Sequence, residues 1–131
     1  MNQQQNLIEL IVTKLVTPTG SGKLDKTVKI FQDQPVNRFI VSLCPDLPKY
    51  KTLILPEHRA KVPSEIRSWV KSMLPLALKN DLTFGCWTNE GLVHFDLSTS
   101  FESLDLAEFY AETWGQLAIY DTKKNLCIQI Q

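Results

Sequence analysis

The clearest pattern of apolar and polar positions lies between residues 99 and 115. At about 100° per residue, Leu104, Leu106, Ala107, Tyr110, Ala111 and Trp114 fall in one sector, and Asp105, Glu108, Glu112 and Thr113 fall opposite. This predicts an amphipathic helix. Ser103 is placed to cap it, Thr99 with Glu102 offers an alternative capping box, and Gly115 stands where such a helix stops. Phe109 breaks the pattern by landing on the charged side, where an aromatic ring would suit a partner surface.

Strand periodicity flanks this helix. Leu82 to Trp87 and Leu92 to Leu97 read as a hairpin around Asn89-Glu90-Gly91, with Gly91 supplying the positive φ of a bulged three-residue loop. That register sets Cys86 opposite His94 and Phe84 opposite Asp96, and leaves Trp87, Val93, Phe95 and Leu97 on an apolar core face. Downstream, residues 116–121 and 126–130 form a second strand pair around Thr122-Lys123-Lys124-Asn125.

Towards the N-terminus, residues 1–6 are read as a disordered lead. Leu7 to Val16 clusters its apolar residues over half a helix, but its Ile-Val-Thr run also suits a strand; the helix is the reading adopted. Residues 17–24 have loop composition. Their Gly20-Ser21-Gly22-Lys23 departs from a phosphate-binding P-loop, which needs Gly where Thr17 stands and Ser or Thr where Leu24 stands. Lys26 to Gln32 and Arg38 to Cys44 alternate as strands joined by a linker short enough for a hairpin, and Lys51 to Leu55 fits a short edge strand among prolines. Pro63 opens a second helix with Ile66, Trp69, Val70, Met73, Leu74 and Ala77 on its core face; Pro75 either kinks it or ends it at Leu74. The sum is an α+β fold, a single domain over 1–131 with a largely antiparallel sheet and two or three helices on one face.

Composition narrows the function classes. The cysteines Cys44, Cys86 and Cys127 are odd in number and widely spaced, which argues against a disulfide framework or structural zinc, and no cofactor signature occurs. No apolar run reaches the roughly 18 residues of a membrane span, and the N-terminus lacks a basic lead before its apolar run, so a cytoplasmic protein is expected. Net charge is zero, yet residues 1–79 carry twelve Lys/Arg against six Asp/Glu and residues 80–131 carry two against eight. The halves either dock so that charges mix or present one sign each to a partner. Without an overall basic excess, a dedicated nucleic-acid binder is not expected.

Catalysis needs a nucleophile, a base and an orienting group together, and the one local constellation is Cys86, His94 and Asp96. It depends wholly on the hairpin register, and Asp96 must reach back along its strand. No metal-ligand spacing is present. Lys49, Tyr50, Lys51, Arg59 and Lys61, with His58, form the densest cationic stretch, suited to an anionic group. The expectation is therefore a non-catalytic binding or regulatory module whose partner is another protein, using Phe109 or the cationic stretch, with homo-oligomer formation left open. The alternatives are a small hydrolase or transferase using Cys86 and His94, and an anionic-ligand or nucleic-acid binder using the basic first half.

Overall fold

In the computed structural model, residues 3–20, 24–31, 33–43, 51–116 and 118–130 are described. The order of elements is α1 (Gln3–Val16), β1 (Lys26–Val28), β2 (Phe39–Ser42), β3 (Leu53–Pro56), α2 (Pro63–Asn80), β4 (Thr83–Asn89), β5 (Leu92–Phe101), α3 (Leu104–Thr113), β6 (Ala118–Asp121) and β7 (Leu126–Gln129). All strand pairs are antiparallel and belong to one sheet, β1-β4-β5-β2-β6-β7. The ten-residue β5 organises it. One edge of β5 runs along β4, while the other is shared end to end by β3, against Leu92 to Phe95, and β2, against Ser98 to Phe101. The expected α+β architecture is the one formed.

Helix α1 takes up the Leu7 to Val16 run and buries Ile8, Ile11, Val12 and Leu15. It starts at Gln3, so most of the polar lead is helical. At its other end the Lys26 ammonium donates to the carbonyls of Lys14 (2.7 Å), Leu15 (3.2 Å) and Thr17. A cation there satisfies carbonyls that have no helical partner and opposes the helix dipole. Helix α2 buries the six residues that its periodicity singled out and runs through Pro75 to end at Asp81, whose N–H bonds Ala77 O. Ser103 caps α3, accepting from Leu106 N at 3.4 Å, but the helix begins at Leu104 because Thr99 to Phe101 extend β5.

Two apolar clusters result. The larger joins α1 and α2 to β1, β3, β4 and the first half of β5, with Trp69 edge-on to Phe84 at 5.5 Å. The smaller sets Ala107 and Ala111 of α3 against Phe39, Val41 and Ile119. Val93, Phe95 and Leu97 belong to the first and Phe101 packs on the second, and these alternate positions of one strand put both clusters on the same face. Among the described residues, no helix covers the other face.

Three expectations are corrected here. β1 and β2 do not form a hairpin: β1 pairs with β4, and β2 lies between β5 and β6. Their connection is instead held by Gln34, which accepts from Ile30 N (2.8 Å) and donates to Leu82 O (3.0 Å) and Asp81 Oδ1 (3.1 Å). Second, of the sector expected to be the apolar face of α3, Leu106 is exposed and Trp114 is only half-buried beside Tyr110 in the smaller cluster, whereas Trp69 is core. Third, the β4–β5 loop has two residues, Glu90 (φ 53°) and Gly91 (φ 79°), and Asn89 pairs with Leu92. Two positive φ values make the tight turn whose twist suits a hairpin. The register therefore differs by one residue from the three-residue reading.

Candidate functional site

The one-residue difference separates the expected catalytic group. Cys86 pairs with Phe95, not His94, and points into the larger core. Its thiol donates to Leu24 O at 2.9 Å, and burial pushes its pKa up to about 12. A thiol so placed is a poor source of thiolate. His94 and Asp96 lie on the opposite face of the sheet, so the structure does not bring Cys86 to either.

That opposite face holds a different group. Gly85 pairs with Asp96 and Trp87 pairs with His94, while Ile54 of β3 pairs with His94 from the other side. A row Ile54–His94–Trp87 thus crosses three strands, and Leu92 lies beside it. Ile54, Leu92 and Trp87 are all exposed, Trp87 at 41%. The His94 ring stacks on Trp87 with centroids 4.1 Å apart and planes 9° from parallel.

Asp96 sits behind the tryptophan and is only 8% exposed. Its Oδ2 accepts from Ser42 Oγ at 2.8 Å and from Trp87 Nε1 at 3.3 Å. Gly85 leaves room beside the carboxylate: a Cβ there would stand 3.3 Å from Asp96 Oδ1, so the side chain would have to give by a few tenths of an ångström. Burial raises the Asp96 pKa to about 7, against the two hydrogen bonds that favour the charged form. Burial also lowers that of His94. The arrangement supplies a tryptophan whose ring and N–H are both fixed, at the edge of a small apolar patch.

Of the other expected binding residues, Phe109, Lys51, Arg59 and Lys61 are among those described. Phe109 is 61% exposed on α3, with its ring edge-on to Tyr110 at 5.2 Å. Lys51 and Lys61 are exposed, and Arg59 is ion-paired with Glu65. Lys49 and Tyr50 lie outside the described residues, as do Cys44 and Gly22-Lys23 of the P-loop comparison. Among the described residues no group of three His, Cys, Asp or Glu is placed to hold a metal ion, and no helix is long and apolar enough to cross a membrane. Trp87 itself was assigned to the core in the three-residue register; the Glu90-Gly91 dipeptide, read as a two-residue loop, is the signal that would have turned it outward.

No protein family matches this chain, and neither does any curated protein or solved structure.

Proposed function

We propose that this protein is a non-catalytic binding module, acting through protein–protein contacts at the helix-free face of its sheet, with Trp87 as the anchor. The observation that carries the reading is the fixed Trp87 side chain, stacked on His94 and hydrogen-bonded to Asp96 while 41% exposed. Tryptophan is enriched among the few interface residues that dominate binding energy. A ring already held in one orientation loses less side-chain entropy when a partner covers it. Ile54 and Leu92 extend the apolar contact beside it. A cytoplasmic setting fits the free thiols of Cys86 and Cys127.

The test is affinity capture from the native host with the full chain, quantified by mass spectrometry, alongside Trp87→Ser and Leu92→Ser. A protein partner retained by wild type and lost from both variants, with folding checked by circular dichroism, is expected. A partner retained equally by both variants contradicts this reading.

A further inference from the structure

Two more apolar surfaces lie away from Trp87, and they are opposite in charge. The first is the outer side of α3, where Leu106 and Phe109 are exposed. Asp105 and Glu112 stand four residues before and three after Phe109, so they flank its ring on the helix surface. No Lys or Arg occurs between Asn80 and Thr122, and among the described residues neither carboxylate is in an ion pair. The second surface is a groove of about 710 Å³ lined by Leu7 and Leu10 of α1, Pro75 and Leu78 of α2, and Phe31. From Leu10 it continues into a trough bordered by Lys14 and Lys29, and Lys71 lies one helical turn before Pro75. Among the described residues these three lysines are not in ion pairs either.

We propose that the α3 ridge of one copy of this chain seats in the α1/α2 groove of another, giving head-to-tail self-association. Leu106, Phe109 and Thr113 follow the i, i+3, i+7 spacing by which a helix presents anchors to a groove. Seating them brings Asp105 and Glu112 against the lysine rim. Ridge on ridge would oppose acid to acid, and groove on groove base to base, so the contact joins unlike surfaces. A second copy is the occupant that the charges favour. The excess of six positive charges in residues 1–79 and of six negative in 80–131 is bridged internally by one ion pair among the described residues, Arg38–Asp121. Zero net charge leaves no overall repulsion between copies.

Such a contact does not close on two copies, which gives it a distinctive test. Sedimentation equilibrium of the full chain should show a weight-average mass that rises with concentration beyond a dimer and falls as salt is added. Phe109→Ser and Leu10→Ser, both at exposed positions, should each weaken association by at least about tenfold. Mixed together, they should form a one-to-one dimer and nothing larger, because one keeps an intact groove and the other an intact ridge. Leu78→Ser serves as the groove variant if Leu10→Ser does not fold. A wild type that stays monomeric, an association that survives Phe109→Ser, or a mixture that does not dimerise overturns the proposal. Trp87→Ser should self-associate like wild type, so this result is independent of the capture experiment.

Discussion

Asp96 is the residue at which the fold works against itself. Folding raises its pKa from 3.8 to about 7, so the folded state binds more protons than the unfolded state between those values. Stability therefore falls as pH rises through that window, with a penalty above pH 7 on the order of 4 kcal/mol. Asn can still accept the Ser42 and Trp87 hydrogen bonds, so Asp96→Asn should be more stable than wild type at pH 8 and lose that advantage by pH 4. Chemical denaturation at the two values checks it. Asp121 runs the other way. Arg38 grips it through two hydrogen bonds of 2.9 and 2.8 Å, and Lys123 and Lys124 N–H groups add to them, holding its carboxyl well below the usual range. Its stabilisation is present above the unfolded value of 3.8 and is lost as pH falls through the lower folded value. Asp121→Asn should therefore melt earlier than wild type at pH 7, by a margin that shrinks in strong acid.

The thiols give a third check at this scale. Cys127 is exposed on β7 and Cys86 is buried with its thiol bonded to Leu24 O. In the native protein iodoacetamide should modify Cys127 and leave Cys86 untouched until the chain unfolds, and His94→Ala should not alter the order. Rapid native labelling of Cys86, dependent on His94, would restore the enzymatic alternative.

Among the elements, the helices and the two local strand pairs, β4–β5 and β6–β7, were legible, and the long-range strand pairings were not. The spacing of Ile66, Trp69, Val70, Met73, Leu74 and Ala77 is a local signal, and all six are buried on α2. By contrast, β1 finds its partner in β4, more than fifty residues away, and nothing local reports that choice. The hairpin register failed for a narrower reason. The turn places Glu90 at φ 53°, a conformation that a residue with a Cβ resists, so the sequence reads more naturally as a longer loop. That one residue decided which face Trp87 occupies. Glu90→Asn should stabilise the protein by about 1 kcal/mol, because Asn tolerates this conformation; a loss of stability would speak against the two-residue turn. The two helical tryptophans should also differ. Trp69→Ala removes a ring wedged against Phe84 and Phe95 and should cost about 3–5 kcal/mol. Trp114→Ala should cost less, since Trp114 is only half-buried where it packs on the smaller cluster and beside Tyr110.

For the whole molecule, one face of the sheet carries all three helices and both apolar clusters, and the other carries Trp87, His94 and Asp96. Stability is concentrated on the first face, and the heterologous protein contact is proposed for the second, separate from the self-association proposed for the outer surfaces of the helices. This division is the central claim, and a photo-crosslinker placed at single positions tests it most directly. Installed at Ile54, across His94 from Trp87 in the same cross-strand row, a benzoylphenylalanine should trap a discrete heterologous adduct in the native host, and Trp87→Ser should abolish that adduct. Installed at exposed Ser68 on α2, it should not trap the same adduct. The same adduct from both positions, or one from position 54 that is indifferent to Trp87→Ser, would contradict the assignment of function to the open face of the sheet.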